Sequence, residues 1–268
     1  ESAATSLEHP VKWPGKKSRR LEDAIALLDD RVAEMIAARR ASPEGYDDLL
    51  ARLLAARDED GSAMDDRQLR DEVLTLFVAG HETTATALSW ALYLLARAPE
   101  IRAAIEEEAD ALEGRTPTAD DLARLPMTRR VFAEALRLYP PVPVYERQAL
   151  EDVEVAGLHL PVGSIAAVFP WALHHNPSVW PDPDRFDPDR FTESAERDRH
   201  RYAWVPFGAG PRVCIGNHFA LQEGPLVLCC IAARARLDLE SEDEILPDPA
   251  AATLRPRGGV PMRVRLRS

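Results

Sequence analysis

The sequence predicts a mainly α-helical chain with a minor β component, and three observations carry that prediction. Residues 65–97 contain no proline and are dense in apolar side chains. Between residues 20 and 40 apolar residues recur at steps of three and four, the period of one helix face. Beyond residue 140 short β-like runs alternate with glycine and proline. The 268 residues are 46% hydrophobic and 29% charged, the balance of a folded chain, and are numerous enough to enclose a core and a buried cofactor.

The first residue is Glu1 rather than methionine, and His9 to Gly15 is turn-rich, so a fragment or a processed chain is expected. Leu21, Ile25, Leu28, Val32, Met35 and Ile36 mark an amphipathic helix over 20–40. Asp47 can cap a shorter helix carrying Leu49, Leu50, Leu53 and Leu54. A helix over 65–97 would be roughly 50 Å long at 1.5 Å per residue, so its middle must be buried. Pro99 suits the first turn of the next helix and Gly114 its end. Met127 to Leu138 forms another helix, stopped by Pro140 and Pro141. Strands are expected at Val142–Val144, Val153–Val155, Leu158–Leu160, Ile165–Phe169 and Met262–Leu266. Asn176 to Phe191, rich in Pro and Asp, reads as an irregular meander. Ile215 to Ala233 reads as a helix, with a kink or break near Leu221–Gly224 because Gly224 and Pro225 cost roughly 1 and 3 kcal/mol in a helix interior.

Formal charge is −12, from 33 basic and 45 acidic side chains, which argues against a general nucleic-acid binder. The longest apolar run, Leu226 to Ala233, is far short of the ~18–20 residues that span a bilayer, so no membrane segment is expected. Glu8, His9 and Pro10 interrupt the first apolar stretch, so no signal peptide is read. Cys214, Cys229 and Cys230 are too few and too clustered for a disulfide framework, which points to a reducing compartment; a cytoplasmic location is expected, with a membrane anchor ahead of Glu1 as the alternative. Cys229 and Cys230 sit in the apolar run and read as small hydrophobes. Cys214 stands in the glycine-rich stretch Phe207-Gly208-Ala209-Gly210-Pro211-Arg212-Val213-Cys214-Ile215-Gly216, where an adjacent cation and a following helix N-terminus favour the thiolate form.

Two further groups stand out. Ala79-Gly80-His81-Glu82-Thr83-Thr84 places glycine, a carboxylate and two hydroxyls mid-helix, where burial demands partners. It reads either as a kinked core helix with locally bonded polar groups or as a functional segment. It is no zinc-protease helix, because the second histidine would fall on Ala85. Glu134 and Arg137 lie three apart on one helix face. Alone they read as a solvated pair contributing about 0–1 kcal/mol. The apolar Val131, Phe132, Leu136 and Leu138 around them allow a buried network instead, completed from Asp184-Arg185-Phe186 or Asp189-Arg190-Phe191.

In order and spacing these stretches resemble the cytochrome P450 family of haem-thiolate monooxygenases. Ala79 to Thr84 resembles the family's oxygen-activation segment, Glu134-Ala135-Leu136-Arg137 its E-x-x-R, Pro188-Asp189-Arg190-Phe191 its P-E-R-F, and Phe207 to Gly216 its haem-binding loop. The resemblance covers essentially the whole chain, including Leu254 to Gly259. It implies a P450-like fold incomplete at the N-terminus, lacking the early helices and part of the substrate pocket. Residues 1–268 are then one partial domain. It comprises 1–140 helical, 141–170 a small β region, 171–206 the meander, 207–233 the haem-binding loop and following helix, and 234–268 the C-terminal β segments.

The resemblance also implies site residues. Cys214 would ligate the iron of haem b (heme b, iron-protoporphyrin IX). Phe207 would pack near the proximal face, with Gly216 in the same loop. Arg212 would pair with a propionate; Arg147 is a second candidate or a solvated strand-edge arginine. Ala79 and Gly80 would adjoin the porphyrin, Gly80 letting the helix bend for dioxygen. Thr83 and Glu82 would manage protons, Thr84 would support the bend, and His81 would face another helix. Glu134, Arg137 and Arg190 would form a structural network, with Arg185 as fallback. His174 and His175 read as loop histidines. Implied partners are O2, a hydrophobic small-molecule substrate lined by residues such as Leu76, Phe77, Val142 and Val144, and a separate ferredoxin-type electron donor. The rival readings are a non-catalytic remnant unable to hold haem and a peroxide-driven haem enzyme.

Overall fold

The structure, a computed structural model, describes residues 16–42 and 44–267; the turn-rich stretch His9 to Gly15 lies outside the described residues. There are two compact units, one ending at His81 and the other beginning at Glu82.

In the first unit, α1 (Lys16–Ala41), α2 (Leu49–Ala55) and the start of α3 (Asp66–Ala96) enclose a small core. Val32, Ile36 and Leu69 are buried, with Leu50, Leu53, Leu54 and Val73 half-buried around them. The period along α1 marks the helix but overstates its covered face, since Ile25, Leu28 and Met35 remain exposed. The cap of α2 is Asp48 rather than the expected Asp47: its Oδ1 accepts the Ala51 N–H at 3.0 Å. Asp47 lies one residue too early and pairs with Arg52 instead. Asp65 caps α3 by accepting the Gln68 N–H at 2.7 Å. The helix α3 is continuous through Gly80, with no break at the polar segment. His81 is exposed and stacks on Phe77 of its own helix, ring centres 6.3 Å apart, rather than facing a second helix.

The core of the second unit gathers Trp90, Ala91 and Leu94 of α3, Ile105 of α4 (Pro99–Asp110), Phe132 and Leu136 of α5 (Pro126–Leu138) and Leu228 of α8 (Asn217–Arg234). Pro99 and Pro126 occupy first turns, where a missing N–H costs nothing. Glu108 caps α5, accepting the Met127 and Thr128 N–H groups at 2.6 and 2.9 Å. Trp90 donates its indole N–H to the Leu254 carbonyl at 2.6 Å and stacks on Tyr139 at 3.8 Å. Burial pushes the Tyr139 phenol up to about 12.

Three antiparallel pairs supply the β component. β1 (Tyr145–Gln148) pairs with β4 (Ile165–Val168), β2 (Val153–Val155) with β3 (Leu158–Leu160), and β5 (Ala235–Leu239) with β6 (Met262–Leu266). The first strand starts later than Val142–Val144 because Pro143 has no N–H to offer a ladder. The stretch read as irregular, Asn176 to Phe191, holds no α-helix or strand and ends in a 3₁₀ turn at Pro188–Phe191; two short helices, α6 (Pro170–His174) and α7 (Glu193–Asp198), flank it.

Of the kink or break expected in α8, no break is present: the helix runs unbroken past Pro225. Gly224 has a packing reason instead. A Cβ at this position would lie 2.2 Å from Cζ of Phe132, which is itself buried, so glycine lets α5 and α8 approach. Alanine normally stabilises a helix interior by about 1 kcal/mol over glycine. Gly224→Ala should nevertheless destabilise the chain by roughly 1–3 kcal/mol through overpacking, read as a lowered urea midpoint. An unchanged or raised midpoint would show that Phe132 can move aside.

Candidate functional site

The loop from Phe207 to Gly216 presents one exposed thiol on a fixed backbone. Gly208 and Gly210 both adopt φ of +72°, a conformation that side chains resist, and let the chain turn twice. The Gly208 N–H donates to the Val205 carbonyl at 3.1 Å and the Val213 N–H to the Gly210 carbonyl at 3.0 Å. The Cys214 N–H donates to the Phe207 carbonyl at 2.9 Å, tying the two ends together. Cys214 is exposed, as are Val213, Ile215 at 88% and Phe219 at 68%. Phe207 is half-buried against the core and meets Trp204 edge-on at 6.2 Å. A Cβ at Gly216 would lie only in ordinary contact with the thiol sulfur, at 3.9 Å.

These features fit a flat apolar group with an anionic edge, held through one sulfur. Among the described residues no three His, Cys, Asp or Glu side chains gather as a metal site, so Cys214 offers a single ligand rather than a zinc-type set. Arg212 is exposed beside it and forms no ion pair among the described residues. Arg147, on β1, is also exposed; it donates to the Glu146 carbonyl and lies 5.2 Å from the Tyr145 ring centre.

On α3, Glu82 is half-buried and accepts the Thr253 hydroxyl at 2.7 Å. Thr83 beside it is half-buried and Thr84 is buried. Ala79 and Gly80, earlier on the helix, are exposed, and a Cβ at Gly80 would meet nothing within 4 Å.

The Glu134–Arg137 pair is not a solvated surface pair: both side chains are fully buried. Arg137 Nε and Nη2 donate to the two Glu134 oxygens at 2.6 and 2.8 Å, a planar two-bond match. The Asp187 N–H donates to Glu134 Oε1 at 3.0 Å, and Arg190 Nε lies 3.5 Å from it. Arg190 therefore supplies the third charge. Arg185 contributes only its carbonyl, which accepts from Arg137 at 3.2 Å. Burial pushes the Glu134 carboxyl up, while the Arg137 guanidinium and the Asp187 N–H pull it back.

His174 departs most from its expected place in a loop. It ends α6 fully buried. Its Nε2 accepts the Val205 N–H at 2.9 Å, so the proton sits on Nδ1, which donates to the Arg137 carbonyl at 3.2 Å. Arg137 Nη1 in turn donates to the His174 carbonyl at 2.8 Å. No local sequence signal marks this histidine, because its partners are 31 and 37 residues away. Burial disfavours the charged ring and pushes the His174 pKa down to about 3. His175, half-exposed to solvent next to it, stacks on Trp171 at 4.4 Å.

Two outcomes follow. Glu134→Ala leaves a buried guanidinium without its carboxylate and should cost roughly 3–5 kcal/mol in denaturant unfolding; a loss under about 1 kcal/mol would mean that the pair is solvated. His174 is neutral when folded, whereas the unfolded chain takes up its proton near pH 6.5. Stability should therefore fall as pH drops from 6.5 towards 3, by up to about 1.4 kcal/mol per pH unit from this group. Glu134 and His175 titrate nearby, so tryptophan-monitored unfolding of wild type and His174→Phe is compared across that range. The variant should lose part of the slope; parallel profiles would exclude His174 as its source.

Comparison with known proteins places this geometry in a family. The cytochrome P450 family model matches residues 6–260. The chain is 42% identical over 242 residues to cyclooctatin synthase of Streptomyces melanosporofaciens, covering 89% of this chain and 53% of that protein. It is 38% identical over 263 residues to pentalenene oxygenase of Streptomyces avermitilis, covering 97% and 58%. The crystal structure of the cytochrome P450DA heme domain superposes with a TM-score of 0.86 at 36% identity, covering 94% of this chain and 56% of that one. The chain thus spans about half the length of the relatives it matches. With an exposed thiol on a doubly turned glycine loop, a buried Glu134–Arg137–Arg190 network and these relatives, the chain belongs to the cytochrome P450 family.

Proposed function

We propose that this chain carries the thiolate-bearing part of a haem-dependent monooxygenase that inserts one oxygen atom of O2 into a hydrophobic small molecule. The balanced reaction is R–H + O2 + NAD(P)H + H⁺ giving R–OH + H2O + NAD(P)⁺. The observation that carries this reading is the exposed Cys214 thiol, held by the Cys214 N–H to Phe207 carbonyl bond and flanked by exposed apolar side chains. When bound, haem b supplies the dioxygen chemistry, its thiolate ligand donating the electron density that favours O–O cleavage.

The residues of the chain divide the remaining work. Cys214 Sγ holds the iron. Arg212 offers a guanidinium, unpaired among the described residues, to a propionate, and Arg147 is the second candidate. Phe207 gives the loop an apolar foot, and Gly216 leaves the sulfur's flank uncrowded. Glu82, held by Thr253, and Thr83 beside it form a polar pair that passes protons into an otherwise dry site. Glu134, Arg137 and Arg190 hold the scaffold.

Electrons come from NAD(P)H through a separate ferredoxin-type donor. A cytoplasmic location is part of the same proposal, supported by three cysteines that are all free. No helix among the described residues is long and apolar enough to cross a membrane. One relative is named for oxygenating pentalenene, another as cyclooctat-9-en-7-ol 5-monooxygenase. Those names support a small hydrophobic substrate for this chain.

Haem titration of the purified chain, followed by reduction and carbon monoxide, tests the reading. Wild type should show the strongly red-shifted Soret band of thiolate ligation, and Cys214→Ala should lose it. A free-haem spectrum from wild type would favour a remnant that does not hold haem.

A further inference from the structure

We infer that His174 is a positioning residue for the Cys214 loop, acting through the Val205 amide. This rests on the haem-thiolate reading of that loop. The side chain is fully buried and both ring nitrogens are committed, so it is not available to a ligand. What it holds is the segment that enters the loop. Val205 is followed by Pro206, which has no N–H, so the Val205 N–H is the backbone donor by which this stretch is held until Phe207. That donor ends on His174 Nε2 at 2.9 Å.

The path continues in both directions. Towards the thiol, the Val205 carbonyl accepts the Gly208 N–H, and the Phe207 carbonyl accepts the Cys214 N–H. Towards the interior, His174 and Arg137 are clasped twice, ring to carbonyl at 3.2 Å and guanidinium to carbonyl at 2.8 Å. Among the described residues, Arg137 reaches Glu134 and the carbonyls of His174 and Arg185, and Glu134 reaches Arg137, Arg190 and Asp187. None of these bonds lands on residues 205–216. The imidazole is thus the hydrogen-bonded link between the buried ion network and the cysteine loop. Trp180 meets the ring edge-on at 6.4 Å. Removing such a partner leaves a buried N–H without an acceptor and frees the loop entrance.

The test compares His174→Phe, which keeps an aromatic ring but loses the acceptor, with His174→Gln, whose side-chain carbonyl can accept where Nε2 does. Each full chain is loaded with haem. The readouts are the thiolate signature of the reduced carbon monoxide complex, haem retention and the midpoint reduction potential. His174→Phe should lower haem retention roughly 10–100-fold, the usual cost of losing a partner behind a metal ligand, and shift the potential. His174→Gln should recover most of both. A His174→Phe protein with wild-type signature and potential, or a His174→Gln protein as impaired as His174→Phe, overturns the inference. Hydrogen exchange at the Val205 amide of wild type needs neither variant nor haem. Strong protection is expected, and exchange at the rate of exposed loop amides overturns the inference. If wild type gives no thiolate signature, the haem-thiolate reading fails, while the amide measurement still decides whether His174 holds the loop.

Discussion

Two opposite charges without access to water govern the second unit. Glu134 and Arg137 are both fully buried, and removing such ions from solvent costs several kcal/mol each. The arrangement persists because the carboxylate collects the bidentate guanidinium, a backbone N–H and the nearby Arg190 charge. Arg137 spends its remaining donors on the carbonyls of His174 and Arg185. Those carbonyls stand at the end of the short helix α6 and in the irregular stretch before Pro188, which is where a fixed donor is worth most. The pair is less a source of net stability than a template that only one path of the chain satisfies.

That template explains how a glycine-rich loop can be well placed. Gly208 and Gly210 allow the turns but do not enforce them, since glycine has the most conformations to lose. Enforcement comes from the bonds at the loop's base and from Phe207, whose ring meets Trp204 and through it the Phe191 and Trp180 cluster. Polar and aromatic supports thus converge on the chain just before the cysteine. The thiol itself stays exposed with apolar neighbours, the combination suited to an apolar metal-bearing plate.

Much of this was legible from residue order. Proline positions and apolar period marked α3, α4, α5 and α8 to within a few residues, because those signals act locally. Strands β2, β3 and β6 fell where alternating β-branched and leucine residues are bracketed by turns. Misreadings arose where a distant partner decides. Gly224 looked like a helix breaker until Phe132 was found against it. Pro170 opens α6 directly after the strand expected at Ile165–Phe169, so that strand stops one residue earlier, at Val168. His174 carried no sign of burial, and the tandem Asp-Arg-Phe repeat could not say which arginine faces Glu134. Thr253, the partner of Glu82, was also invisible, lying 171 residues away.

The Glu82 to Thr253 contact has a consequence for how that acid can be interpreted. The neighbouring Leu254 carbonyl is held by Trp90 two turns further along the same helix, so one side of α3 clamps two successive residues of the closing segment. One carboxylate therefore moors that segment and, in the proposed function, would also handle protons. A neutral replacement at Glu82 would change the mooring together with any proton handling, and the two effects would separate only when the threonine is altered as well.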